Sequence, residues 1–414
     1  DGHLTAWDPI LGERQARFAA DSAILWASFS PDGRQLVFVS RDGLLEARLR
    51  PQPFPVVRRT LAGPATGVAF HPDSHRLAVA LETGGLELLS VDGLKSLRSL
   101  PAPVPLSEVA FSPDGHYVRA HAAPLEAPRA WVWEVDSGKL AWEGAAESAD
   151  FSREGTLLAV ECGEGPVILV NLGSGQVREV PGLSSRDVHC LRLSPDGSSL
   201  ALAGQLAPGW EGFVEVRRVD GSPAFPRWKL PELVTALAFS PDGSLLASGT
   251  CEGRLDLWDV EQGGSVAAPM LHSGALTALK GGQGLFLSAA VDGTLRGWSP
   301  SGALLFRPLA HPDAVHRASA TKDGRTVASL SGRRFRLWET WCGRPLSPWL
   351  RSRGQVQSLA LSPDGSFLAV VGDEVELWSL APDRSTGLVD SVEAASGLEL
   401  DPETGLVRET REGW

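Results

Sequence analysis

Four cysteines, one methionine and one tyrosine are all that 414 residues offer of those three types. Cys162, Cys190, Cys251 and Cys342 are scattered with no Cys-x-x-Cys pair, which argues against a zinc site and against a dense disulfide framework. A reducing, cytoplasmic compartment is the expectation that follows. No apolar run approaches the roughly 18 residues of a membrane span, and no signal peptide is visible. No stretch within residues 1–380 keeps a helical period for three turns, so helical folds are excluded. Catalytic motifs are absent too: there is no Gly-x-Ser-x-Gly elbow, His-Arg-Asp loop, Asp-Phe-Gly or glycine-rich phosphate loop. The net charge of −12 would repel a phosphate backbone, so a nucleic-acid partner would need a strong local basic face.

What the chain has instead is a period. Phe29-Ser-Pro-Asp-Gly33 returns at Phe70, Phe111, Phe151, Leu193, Phe239 and Leu361, with weaker copies at Leu279–Gly284 and Ala320–Gly324. The steps are 41, 41, 40, 42, 46, 40, 41 and 41 residues. A repeat of this size decides the architecture before any site is considered. Within each unit, apolar stretches of strand length alternate with short turns, as in Val234-Thr-Ala-Leu-Ala-Phe239, Leu245-Leu-Ala-Ser248 and Leu255-Asp-Leu-Trp258. Pro presets φ at the second turn position, Asp suits the third, and Gly accepts the positive φ that closes the hairpin. The 45 glycines and 30 prolines are accounted for by these turns. Four short strands per unit over nine units read as an all-β propeller of four-stranded antiparallel blades.

The third strand of many units ends in Trp-Asp or a relative: Trp7-Asp8, Trp133-Glu134, Trp258-Asp259, Trp298-Ser299, Trp338-Glu339 and Trp378-Ser379. On these residues the chain resembles the WD-repeat β-propeller family, over about nine-tenths of its length. The resemblance implies a buried hydrogen-bond set of His, Ser or Thr, turn Asp and Trp. His272, Ser288, Asp292 and Trp298 match that structural tetrad best; in two other units Gly332 and Gly372 stand where the Asp would be. The tail, residues 381–414, suggests a short helix at Ser391–Ser396 and a hairpin over Gly397–Val407. It weakly resembles the segment after the propeller in bacterial WD-repeat proteins fused to serine/threonine protein kinases.

The chain opens on what reads as a third strand, Asp1–Asp8, so a C-terminal piece of a longer polypeptide is expected. For ring closure, seven units over residues 92–380 are expected to form one propeller, with residues 1–91 belonging to a preceding, truncated one. The alternative is a larger ring closed by Arg14–Ala19 as the outer strand of the last blade.

Candidate sites are few. The histidines His3, His71, His75, His116, His121, His189, His272, His311 and His316 show no metal-ligand spacing, and neither a metal nor any cofactor is expected. The turn aspartates Asp32, Asp114, Asp196, Asp242 and Asp364 fall on separate units and would encircle a ring, whereas acid–base chemistry needs carboxylates that converge. A docking patch is the remaining candidate: Arg333, Arg334, Arg336, Arg344, Arg351 and Arg353 with Trp341 and Trp349, since Arg and Trp concentrate in interface hot spots. The insertion Gln205–Gly212 adds Trp210. A non-catalytic scaffold with protein partners, and without nucleic acid, membrane or metal, is the function these residues suggest. The alternative, an enzyme or small-ligand binder at the central channel, would need convergent polar side chains there, and none stand out above the turn chemistry.

Overall fold

The computed structural model describes residues 57–380 apart from 124–125, 164, 185–187, 207–208, 210, 283, 341, 348 and 353–354. It also describes the strands His3–Trp7, Arg14–Ala19, Ile24–Phe29, Gln35–Ser40, Leu45–Leu49, Leu398–Leu400 and Val407–Glu409. Two compact units emerge, residues 54–379 and, separately, residues 1–53 with 380–414. In the smaller unit, His3–Trp7 pairs with Arg14–Ala19, Ile24–Phe29, Gln35–Ser40 and Leu45–Leu49 form a three-stranded sheet, and Leu398–Leu400 pairs with Val407–Glu409. The proposed helix at Ser391–Ser396 lies outside the described residues.

The larger unit is a β-propeller of eight four-stranded antiparallel blades, numbered 1 to 8 here along the chain from Ala65. Its first strands are Ala65–Phe70, Leu106–Phe111, Ser148–Phe151, Val188–Leu193, Val234–Phe239, Leu276–Gly282, Val315–Ala320 and Val356–Leu361. Each heads a meander in which the second strand is buried on both faces, as in Arg76–Leu81 and Phe367–Gly372. That double burial follows from blades stacking face to face: each apolar cluster spans two neighbours, for example Leu88, Leu100 and Leu106 with Trp131 and Trp133 between blades 1 and 2. Another joins Leu255 and Met270 of blade 5 to Phe286 and Trp298 of blade 6.

Ring closure departs from both sequence expectations. The fourth strand of blade 8 is Val57–Arg59, antiparallel to Val375–Ser379 in the register Val57↔Leu377, Arg58↔Glu376, Arg59↔Val375. The ring therefore takes in the unit expected to belong to a preceding propeller, and its boundary falls near residue 54, not residue 92. Arg14–Ala19 pairs with His3–Trp7 instead of closing the ring. A three-residue strand carries little periodicity, which is why it escapes a reading based on repeats. Side chains reinforce it: Arg58 pairs with the buried Glu376 at 3.3 Å, and Arg59 pairs with Glu87 at 3.6 Å and donates to the Leu94 carbonyl at 2.7 Å. Blades 8 and 1 share one core in which Val371, Val375 and Leu377 pack with Leu77, Val79 and Leu89.

The hairpin turns show why the signature recurs. In blade 5 the Ser240 hydroxyl donates to Asp242 at 2.5 Å and accepts from the Leu245 N–H at 2.9 Å. Asp242 also accepts from the Ser244 N–H at 3.1 Å, and Gly243 takes φ +77°. These bonds to the ionised form hold the Asp242 carboxyl below its ordinary range. Blade 1 puts Ser74 at φ +64° in the glycine position, and its hydroxyl accepts from the Asp364 N–H of blade 8 at 3.3 Å.

Candidate functional site

Three regions merit description: the buried tetrad positions, the inner wall of the ring, and the arginine-rich edge of blade 7. In blade 6, Trp298 Nε1 donates to Ser288 Oγ at 2.7 Å, and His272 Nε2 lies 2.7 Å from the same oxygen. His272 Nδ1 faces Asp292 at 3.3 Å, and Asp292 also accepts from the Ser273 and Thr294 N–H groups at 2.9 Å each. Burial, with Arg296 adding to it, pushes the His272 pKa down to about 4, so the ring is neutral at pH 7. A neutral ring completes a chain of donors: Trp298 to Ser288, Ser288 to Nε2, and Nδ1–H to Asp292. The set joins the second and third strands to the loop entering the blade, and its geometry is that of a structural clamp.

Blade 7 keeps three of the four groups. Trp338 Nε1 donates to Ser329 Oγ at 2.7 Å, and His311 Nε2 lies 2.6 Å from that oxygen. With Gly332 at the turn, His311 Nδ1 instead meets the carbonyls of Leu309 at 2.8 Å and Gly293 at 3.2 Å. Blade 8 keeps only the tryptophan. Val370 occupies the register position of the serine, and Trp378 Nε1 is buried with no hydrogen-bond partner.

The inner wall holds residues that sequence reasoning missed. First strands pair on one edge only and pack against the first strands of neighbouring blades, so their free edges line the central channel. At the position before the signature residue, register alignment gives Ala69, Ala110, Asp150, Arg192, Ala238, Lys280, Ser319 and Ala360. Three ionisable side chains thus stand where other blades carry alanine or serine. Asp150 accepts from the Leu193 N–H of blade 4 at 3.0 Å; Ser319 accepts from the Leu361 N–H of blade 8 at 3.0 Å, the same bridge made by a hydroxyl. Burial pushes the Asp150 carboxyl up, against the fields of Arg192 and Arg119. In blade 2, two positions before Ala110, Glu108 pairs with Arg119 at 3.1 Å, and that guanidinium holds its pKa down to about 2. His121, opposite Glu108 across the strand pair, is pushed down to about 4 by burial and then by Arg119. Blades 2 to 4 therefore contribute one mixed-charge cluster to the wall. Convergent polar groups do exist in the channel, contrary to the sequence expectation.

Lys280 escaped for a traceable reason. Aligning Leu279 with the signature residue puts Lys280 in the turn. In the structure Gly281 is the residue in register with Phe239, because both sit opposite the second-strand residue that also faces the blade's tryptophan. A Cβ on Gly281 would collide with the Phe239 carbonyl oxygen, so only glycine lets this strand run on to Gly282. The signal was present as a charge at a position that other repeats fill with small residues.

The blade 7 patch separates into two kinds of arginine. Arg336 lies over Trp338 and Trp349, 4.8 and 5.1 Å from their ring centroids, and donates through Nε to the Ser347 carbonyl at 2.9 Å. Trp349 also meets His311 edge-on at 5.3 Å. Both pack within the blade, where their aromatic and cationic faces satisfy each other. Arg344 pairs with Glu339 at 3.2 Å. Arg333, Arg334 and Arg351 are exposed, and among the described residues none has an ion-pair partner. Arg334 stands directly opposite Arg351 across the sheet. Trp341, Arg353 and Trp210 lie outside the described residues. No group of three or more His, Cys, Asp or Glu that could hold a metal occurs among the described residues, and no described helix is long and apolar enough to cross a membrane.

Comparison with known proteins agrees with this architecture. The family model "WD domain, G-beta repeat" matches residues 228–259, from the end of blade 4 through the third strand of blade 5. The chain is 26% identical over 285 residues to telomerase protein component 1 of Mus musculus, covering 65% of this chain and 10% of that protein. It is 30% identical over 187 residues to a pre-rRNA-processing protein of Yarrowia lipolytica, covering 41% of this chain and 43% of the relative. An uncharacterised WD repeat-containing protein of Synechocystis is 30% identical over 139 residues, covering 32% and 40%. The chain thus spans about a tenth of the first of these relatives. Among solved structures, the computationally designed Ika8 protein superposes with a TM-score of 0.64 at 18% identity, over 79% of this chain and all of that one. The matches support a WD-repeat β-propeller.

Proposed function

We propose that this chain is a non-catalytic scaffold that binds protein partners through rigidly held edges and loops, and that the blade 7 edge is one docking surface. The observation carrying this reading is the Arg333, Arg334 and Arg351 cluster. Like charges directly opposite across a ladder destabilise a sheet. In a chain of net charge −12, such a cluster is an attractive place for an acidic partner segment. The ring supports it by holding the edge in place before binding, so little ordering entropy is lost on association.

Names among the relatives tie two of them to telomerase and to pre-rRNA processing. For this chain the acidic balance favours protein contacts over a nucleic-acid backbone. A cytoplasmic setting, and a role as the sensor or docking arm of a larger bacterial signalling protein such as a serine/threonine kinase, rest on the cysteine pattern and the tail resemblance. Sequencing the peptide upstream of Asp1 in the intact polypeptide tests the latter: kinase motifs support it, and further blades alone remove it.

The docking test is fluorescence anisotropy with a labelled polyglutamate peptide at low and moderate salt. Wild type binds, and the double charge reversal R333E/R334E weakens binding at least tenfold with unchanged thermal unfolding. Equal binding by both proteins removes the edge as a docking surface.

A further inference from the structure

We infer that the outer position of blade 8 is an exchangeable strand site whose partner is a second copy of this chain: Val57–Arg59 leaves it, and Val375–Ser379 then receives the same segment from the other copy. Register carries the argument. In blades 5, 6 and 7 the residue three places before the third-strand tryptophan, and in blade 1 the residue three places before Leu89, faces a buried aliphatic of the outer strand. The pairs are Leu86 with Leu100, Leu255 with Met270, Leu295 with Leu309 and Phe335 with Leu350. The equivalent residue of blade 8, Val375, faces Arg59. A charged side chain thus stands where four other blades bury Leu or Met, and it reaches instead to Glu87 and to the Leu94 carbonyl. Val57, Arg58 and Arg59 are all only half-buried. The closing strand lacks the apolar anchor that holds its counterparts.

The polar groups at this seam are imperfectly satisfied. Buried side-chain atoms without a hydrogen-bond partner gather on the closing strand, on the strand it pairs with and beside them: Arg58 Nε, Glu376 Oε2, Trp378 Nε1 and Glu87 Oε2. Elsewhere among the described residues such atoms are scattered, as at Arg119 Nε and Glu232 Oε2. Unpaired buried polar atoms cost stability, and here the cost collects in one place. No turn of a meander holds the strand either; residues 60–64 link it to blade 1. The occupant follows from the seat. Glu376 and Glu87 complement an extended aliphatic-Arg-Arg segment, and a second copy carries that segment with identical side chains. Reciprocal exchange about a two-fold axis rebuilds the closing pairs in both copies and leaves neither third strand uncovered. An unrelated basic strand would leave the released Val57–Arg59 without a seat.

The test mixes two chains in a Cys342→Ser background, which removes the exposed native thiol. One carries Val57→Cys and the other, isotope-labelled, carries Leu377→Cys, at positions directly opposite in the register. With oxidised glutathione present, exchange joins residues 57 and 377 of different chains in a covalent dimer, read on a non-reducing gel and by peptide mapping, with a yield that falls on dilution. Absence of that dimer, while the double variant Val57→Cys/Leu377→Cys closes the bond within one chain, overturns the inference. Adding Arg59→Leu restores an aliphatic anchor and is expected to cut the yield roughly tenfold; an equal yield refutes the part assigned to the missing anchor. Hydrogen exchange on the unsubstituted protein keeps the test open should Leu377→Cys fail to fold. Amides of residues 375–377 are expected to exchange roughly tenfold faster than those of residues 295–297 in blade 6, and equal protection refutes a releasable strand.

Discussion

Blades 6 and 8 have the same four-stranded frame, and different forces hold their third strands. In blade 6 the Trp298 indole ends a relay through Ser288 and His272 to Asp292. In blade 8 the Trp378 indole N–H has no partner, Val370 fills the serine position, and the ring of Phe335 meets the indole edge-on at 5.2 Å. Blade 8 holds its sheet by other means: an outer strand recruited from residues 57–59, anchored by Arg58 and Glu376. One blade relies on an internal polar network and the other on apolar packing plus closure, so the tetrad is one of two interchangeable ways to fix a third strand in this ring.

The largest effect expected from breaking the contrast lies in the closure. Arg58→Ala strands the Glu376 carboxylate, only 3% exposed, without its counter-charge. Its cost is about 3 kcal/mol, read as an earlier denaturant midpoint, and the reciprocal Glu376→Gln should cost less because Arg58 keeps access to water. Equal, negligible losses would show that the three backbone pairs alone close the ring. Next comes Ser288→Ala, which leaves the Trp298 N–H and His272 Nε2 unpaired in a dry site and should cost about 1–3 kcal/mol. Val370→Thr in blade 8 offers Trp378 an acceptor but buries a hydroxyl, and a net change within about 1 kcal/mol is expected. A large gain from Val370→Thr would mean that blade 8 is limited by its orphan donor.

A pH titration sharpens the same contrast. His272 has a folded pKa of about 4, below its unfolded value, so the unfolded chain binds the extra proton first. Stability is therefore full above about pH 6.5 and falls as pH drops towards 4. His121 shifts the same way, and His311 moves in the same direction. Replacing His272 with Phe should flatten the slope in that window; an unchanged slope would assign it to His121 and His311. Turn aspartates such as Asp242 and Asp196 act lower, since their depressed carboxyls lose their contribution only as pH falls below about 4. Asp242→Ala, which removes one turn brace, should likewise cost only about 1 kcal/mol by the same midpoint measurement.

The repeat made the blades and their turns legible, because Ser240, Asp242 and Gly243 each have a local job that recurs in most copies. Ring closure was hidden, since Val57–Arg59 is too short to show a period and its partner is far away in sequence. Lys280 was hidden for a different reason: the extra glycines near Gly281 shift the apparent frame by two residues and carry it into an imagined turn. At blade 7 the composition was legible but the contacts were not. Nothing in the run of arginines separates Arg336, stacked between two indoles, from Arg333 and Arg334 in solvent.

The closing strand also sets a timetable. Val57 meets Leu377 across roughly 320 residues of chain, so one edge of blade 8 is made early and its complement nearly last. At ribosomal speeds of about 5–20 residues per second, the early strand waits roughly 15–60 s for its partner. Throughout that interval blade 1 presents an uncovered apolar face, with Leu77, Val79 and Leu89 awaiting blade 8. Local hairpins can form blade by blade during synthesis, but the final long-range pairing comes last and is intrinsically slow. The ring is therefore most vulnerable to aggregation as a nearly finished arc, when seven blades have formed and the eighth lacks its third strand.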